Sequence, residues 1–67
     1  MTKGHEQFAK KYKAWKPKAD LAEALELHPA TVWRIANRGI FPHIKVLGRI
    51  KELMGIPVGL WHEDADG

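Results

Sequence analysis

Proline and glycine divide this chain of 67 residues into short segments. Within each segment the apolar residues recur every three to four positions, which is the spacing of an amphipathic helix. No segment alternates apolar and polar residues as a half-buried strand does. The sequence therefore predicts an all-α fold, a compact bundle of four to five short helices. We expect one domain over residues 1–67, with a flexible tail at about residues 62–67.

The predicted helices cover residues 5–15, 18–25, 29–37 and 43–54, with a short turn of helix at 56–61. Pro17 and Pro29 stand where the second and third helices begin, because proline lacks an N–H and is tolerated in a first turn. Gly55 follows the fourth helix as a C-cap residue. The apolar stripe of this fourth helix consists of Ile44, Leu47, Ile50 and Met54, with Val46 and Leu53 beside it.

The second and third predicted helices are joined by only three residues, 26–28, which is the geometry of a helix-turn-helix. In this motif, placed at about residues 18–37, six positions must be apolar for the helices to cross closely. Here they are Leu21, Ala22, Leu25, Leu27, Val32 and Ile35. All six fit, whereas a shift of one residue would bury Asp20, Glu26 and Thr31. The register of the motif is therefore set by the apolar pattern.

The segment LAEALELHPATVWRIAN, residues 21–37, resembles the helix-turn-helix of the lambdoid phage Cro and repressor proteins, an XRE-type class shared by many small bacterial regulators. FPHIKVLGRIKELMGIPVGLW, residues 41–61, resembles the fourth and fifth helices of that class, so the resemblance covers about residues 5–62. HPATVWRIAN is also similar to the reading helix of the lac-repressor-like family, whose long sensor domain has no counterpart in these residues. The chain departs from the class at Glu26, where glycine is usual. The turn commonly needs a positive φ, so a non-glycine residue there costs about 1 kcal/mol.

The resemblance implies base contacts from the start and outer face of the third helix, namely His28, Pro29, Ala30, Trp33, Arg34 and Asn37. From the residues themselves, Arg34 offers a planar fork of donors that suits guanine O6 and N7. Its alternative partner is Glu26 or Glu63, in a surface ion pair. Ala30 and Thr31 are small enough for close approach and carry methyl groups that suit thymine, although Thr31 is equally suited to bonding backbone at a helix start. For Trp33, a core position over the fourth helix is slightly favoured over a DNA contact.

Charge is distributed in blocks along the chain. Residues 1–18 carry six lysines and one glutamate, and residues 34–51 carry five cations and no acid, a net +5 in each block. If the fold joins these blocks, the resulting basic face favours a polyanion, nucleic acid ahead of membrane; an ordinary lysine-rich surface is the alternative. The candidates for phosphate contacts are Lys16, Lys18, Arg38, Lys45 and Arg49.

Leu60 and Trp61 have no evident place in a four-helix core. In the class that the chain resembles, this region often supplies the dimer contact, so we expect a weak homodimer through Leu60 and Trp61. Simple core packing is the alternative. A dimer would also add buried surface to a chain whose own core is thin.

Several functional classes are excluded by residues that the chain lacks. It has no cysteine, and therefore no disulfide, no thiol chemistry and no Cys-ligated zinc. The four histidines, His5, His28, His43 and His62, do not have the spacing that sets two metal ligands on one helix face. Serine is absent and threonine occurs only at positions 2 and 31, so nucleophilic catalysis has almost nothing to use. We expect no enzyme, cofactor, metal or small-molecule ligand.

No apolar run approaches the roughly 20 residues that span a bilayer, and the N-terminus has no apolar signal-peptide core. We therefore expect a cytoplasmic bacterial protein without a membrane partner. The expected function is that of a Cro-like or repressor-like transcriptional regulator from a phage or prophage. It would bind a palindromic operator in double-stranded DNA, with the third helix in the major groove. The alternative is a helix-turn-helix module that binds a protein, such as an antitoxin.

Overall fold

The computed structural model describes residues 2–64 and contains four α-helices followed by a short 3-10 helix. Their bounds are α1 Lys3–Ala14, α2 Lys18–Leu25, α3 Pro29–Arg38, α4 Ile44–Met54 and the 3-10 helix Val58–His62. Residues 2–64 include no strand, only an isolated antiparallel bridge between Thr2 and Asp64. The predicted all-α bundle is confirmed.

Three helices begin at residues whose side chains accept a backbone hydrogen bond. The Thr2 hydroxyl accepts the N–H of His5 at 3.2 Å at the start of α1. His28 Nδ1 accepts the N–H of Ala30, and His43 Nδ1 accepts the N–H of Lys45, each at 3.1 Å. Each of these bonds satisfies one of the donors that a helix N-terminus leaves without an intrahelical partner.

The turn between α2 and α3 passes through a left-handed residue, Glu26, at φ 56° and ψ 41°. The positive φ expected at this position is confirmed, and the chain adopts it without a glycine. The next residue is hydrogen-bonded to α2: the N–H of Leu27 donates to the Ala22 carbonyl at 2.9 Å. The Glu26 carboxylate lies 2.8 Å from the Arg49 guanidinium, which joins the turn to α4.

Glycine at position 26 should relieve the cost of the left-handed backbone. Both Glu26→Gly and Glu26→Ala remove the carboxylate, but alanine keeps the Cβ that disfavours this conformation. We expect the glycine variant to be more stable than the alanine variant by about 1 kcal/mol, or roughly 4–8 °C in the thermal midpoint. Thermal denaturation followed by circular dichroism measures the difference. Equal midpoints would show that the turn carries no strain.

The core draws on every helix of the bundle. α1 packs against α3 and the 3-10 helix, while α2 packs against α3 and α4. Of the six apolar motif positions, five are buried and Leu27 is half-buried against the core. One prediction for α4 is wrong: Ile44 is 72% exposed, and Val46 takes its place inside. Ile44 is the first residue of α4, next to its cap, and the buried stripe begins two residues later, at Val46.

Trp61 is completely buried, at 0% exposure, and belongs to the core of the single chain. Its ring packs edge-to-face with the His5 ring, with 4.9 Å between the centroids, and its centroid lies 5.9 Å from that of Phe8. The predicted role of Trp61 as a dimer contact is therefore wrong, because no surface of the side chain is left for a partner. Leu60 is half-buried and packs against the same core.

Residues 62–64 are held against the first helix rather than forming part of the expected flexible tail. The N–H of Lys3 donates to the Glu63 carbonyl at 2.8 Å, and the two side chains lie 3.4 Å apart as an ion pair. The tail prediction is thus wrong for these three residues, because burial of Trp61 carries the following backbone back to α1. The remainder of the predicted tail, residues 65–67, lies outside the described residues.

Gly4 provides the space that Trp61 occupies. A Cβ at Gly4 would lie 2.6 Å from Trp61 Cδ2 and 2.7 Å from its Cγ, closer than carbon atoms approach. The corresponding atom at Gly48, in the interior of α4, would have no heavy atom within 4 Å. A side chain at Gly4 would therefore collide with the core, whereas a side chain at Gly48 would not.

This difference predicts opposite effects for the same substitution. Gly48→Ala should raise the free energy of unfolding by about 0.5–1 kcal/mol, because alanine loses less backbone entropy in a helix. Gly4→Ala should lower it by about 1–3 kcal/mol, because the methyl group collides with the indole. Urea denaturation of both variants gives the two values. A stable Gly4→Ala variant would contradict the close packing of Trp61 on α1.

Candidate nucleic-acid interface

The outer face of α3 carries four exposed side chains in one stripe. Its inner face is formed by the buried Val32, Ile35 and Ala36. On the opposite side, at the spacing i, i+3, i+4 and i+7, lie Ala30, Trp33, Arg34 and Asn37. The amphipathic pattern therefore places four of the predicted base-contact residues together on one accessible surface.

Trp33 lies on this outer face, with 43% of its surface exposed. The core position that the sequence slightly favoured is wrong, because α3 turns Val32 and Ile35 inward instead. Two neighbours contact this residue. The Arg38 guanidinium carbon lies 5.6 Å from the centre of the Trp33 ring, and Asn37 Nδ2 donates to the Trp33 carbonyl at 3.0 Å.

An open groove of about 610 Å³ runs along this face. Its lining residues are Ala30, Trp33, Arg34, Arg38 and Ile40. The groove thus combines an aromatic ring, two small or aliphatic side chains and two guanidinium groups.

Arg34 has no ion-pair partner among residues 2–64. The two acids that the sequence offered it are engaged elsewhere: Glu26 with Arg49 at 2.8 Å, and Glu63 with Lys3 at 3.4 Å. The alternative of a surface salt bridge is therefore wrong for Arg34. Its guanidinium is available at the wall of the groove.

The remaining predicted base contacts lie at the start of α3 and differ in their exposure. His28 is exposed but its Nδ1 is committed to the cap, and Pro29 is exposed in the first turn. Thr31 is half-buried and lines a separate cavity of about 170 Å³, together with Ile35 and loop residues that include Phe41. The prediction that Thr31 contacts bases from the outer face is wrong, since its position on the helix turns it toward the loop before α4.

The five predicted phosphate contacts fall into two groups. Lys18 Nζ donates to the carbonyls of Tyr12 and Trp15, at 3.1 and 3.4 Å, and so satisfies the end of α1. Arg49 is paired with Glu26. In contrast, Lys16 and Lys45 are exposed without an ion-pair partner among residues 2–64, and Arg38 lines the groove.

Two residues near the groove were missed from the sequence. Ile40 forms part of its wall, and His5, only 3% exposed, holds that loop in place. His5 Nε2 lies 3.0 Å from the Ile40 carbonyl and therefore donates to it, while Nδ1 lies 2.8 Å from the Thr2 hydroxyl. The spacing of His5 could have predicted its burial, because it stands three residues before Phe8 and extends the apolar stripe of α1 by one turn.

In the described part of the chain, no group of three or more His, Asp or Glu side chains is placed to hold a metal ion. No helix within residues 2–64 is long and apolar enough to cross a membrane. Comparison with protein-family models, with curated proteins and with solved structures finds no match to this chain.

Proposed function

We propose that this protein binds double-stranded DNA as a sequence-specific transcriptional regulator, with α3 in the major groove. The observation that carries the proposal is the exposed stripe of α3, the second helix of the helix-turn-helix. Ala30 permits close approach at the first turn, and Arg34 presents its free fork of donors one turn later. Such a fork pairs with the two acceptors of guanine in the major groove.

Cations around α3 supply the sequence-independent part of the binding. Arg38 stands at the end of the helix, and Lys45 stands in the first turn of α4, which follows the loop that forms one wall of the groove. Contacts of this kind to phosphates set the position and orientation of the helix without reading bases. The protein would act by occupying a promoter, in the manner of the Cro and repressor proteins whose motif it resembles.

A homodimer on a palindromic operator is part of the proposal. Two copies related by a two-fold axis would place their α3 helices one turn of DNA apart. With Trp61 buried, the apolar surface that supports self-association is the loop before α4. Ile40 and Phe41 are its exposed members, and Ile44 at the start of α4 adds to the surface; Phe41 and Ile44 are exposed by 48% and 72%.

The same three side chains favour a second candidate function, a module that binds another protein, as an antitoxin binds its toxin. Several large apolar side chains exposed close together in the sequence of a small domain are typical of protein contacts. Selection of bound duplexes from a random-sequence library, followed by gel shift, separates the candidates. A selected palindrome supports the regulator. Salt-sensitive binding without any selected sequence, together with a stable protein partner, supports the module.

Arg34 carries the sequence-reading part of the proposal. Arg34→Ala should keep the fold, since the side chain is exposed, and should relax preference at one base pair in each half-site by about ten- to a hundredfold. Arg34→Lys should recover affinity but only part of the preference, because a point charge lacks the planar fork. Affinities for the selected duplex and its single-base variants are measured at one salt concentration. If Arg34→Ala weakens binding to every duplex equally, Arg34 contacts only phosphate.

Lys45 and Arg49 form a matched pair for the phosphate contacts. Lys45→Ala should weaken binding to all duplexes about equally and lower the slope of log affinity against log salt by about one unit. Arg49→Ala should leave that slope unchanged, because the guanidinium is turned to Glu26. Titrations at four or five salt concentrations give both slopes. A larger effect at Arg49 than at Lys45 would contradict the orientation proposed for α4.

A further inference from the structure

We infer that Trp33 reads the methyl group of a thymine beside the base pair that Arg34 contacts. The inference rests on the proposed function and names the base chemistry of the same groove. Its starting point is the position of the indole: among residues 2–64, Trp33 is the one exposed tryptophan, with 43% of its surface accessible. A large apolar surface left in water is a cost unless a ligand covers it.

The indole is held ready for such a ligand. The Arg38 guanidinium lies 5.6 Å from the ring centre, a distance at which a cation is attracted to the π face. Asn37 fixes the backbone beneath the ring through its 3.0 Å bond to the Trp33 carbonyl. A contact that restricts a side chain before binding reduces the entropy that the side chain loses on binding.

The groove around the ring is apolar at its centre and cationic along its sides. Ala30 and Ile40 continue the apolar surface, while Arg34 and Arg38 supply guanidinium groups. In the major groove of DNA the one apolar group is the C5 methyl of thymine, and the acceptors of guanine are the match for arginine. A thymine next to a G·C pair therefore fits this arrangement.

The order of the residues on α3 supports neighbouring contacts. Trp33 and Arg34 are adjacent in sequence, so their side chains leave the helix about 100° apart and only one residue apart along the axis. Both line the same groove. Side chains so placed meet adjacent base pairs rather than distant ones.

Replacement of thymine by deoxyuridine tests the inference directly, since deoxyuridine keeps the base pairing and lacks only the methyl group. The duplex selected by the protein is prepared with each thymine replaced in turn. Wild-type protein should lose about fourfold in affinity at one position per half-site, the ratio expected for burying one methyl group. Trp33→Ala should bind the thymine and deoxyuridine duplexes equally. Trp15→Ala, verified as folded by circular dichroism, is the aromatic control and should keep the discrimination.

Three other results would overturn the inference, each distinguishable from the next. In the first, a duplex is selected and Arg34→Ala weakens its binding, but deoxyuridine has no effect at any position. This result leaves the proposed function standing and removes the role of Trp33. Discrimination that persists in Trp33→Ala assigns the methyl group to another side chain. Absence of any selected duplex removes the proposed function and the inference together.

Discussion

Burial of Trp61 against the first turn of α1 is the contact on which the rest of this structure depends. The indole reaches the core only because Gly4 has no side chain, and once there it meets His5, Phe8 and Phe41. The contact is one of packing, since the indole Nε1 has no hydrogen-bond partner within residues 2–64. Through it, the C-terminal segment and the loop before α4 are both fastened to the first helix. That loop in turn supplies one wall of the groove beside α3.

The helix-turn-helix was predictable because its signals are local. Prolines at the starts of α2 and α3 and a three-residue turn set the bounds, and the 3.6-residue period separated the inner from the outer face. The left-handed turn at Glu26 was expected from the resemblance to the Cro and repressor proteins, in which glycine is usual at this position. Trp61 was not predictable in the same way, because its position depends on a glycine at the other end of the chain. No periodic pattern in one segment reports such a contact.

The same difference between local and long-range signals applies to the candidate site. Periodicity placed Arg34 and Asn37 on the accessible face of α3, and the resemblance to the Cro and repressor proteins added Ala30. Periodicity could not decide Trp33, since a large amphipathic ring suits both a core and a wet interface. Nor could it assign partners to charged side chains, as the engagement of Arg49 with Glu26 depends on how α4 crosses the turn. What the sequence leaves undetermined is therefore which cations remain free once the helices have packed.

The bridge between Thr2 and Asp64 has a topological consequence. It brings the first and last described residues side by side, so the backbone of residues 2–64 leaves the domain at nearly the point where it enters. A unit of this kind can be spliced into a surface loop of a host protein without forcing the host's ends apart. A few added residues would also close the backbone into a ring. New ends could then be opened at another surface turn, with the order of the helices changed and their packing retained.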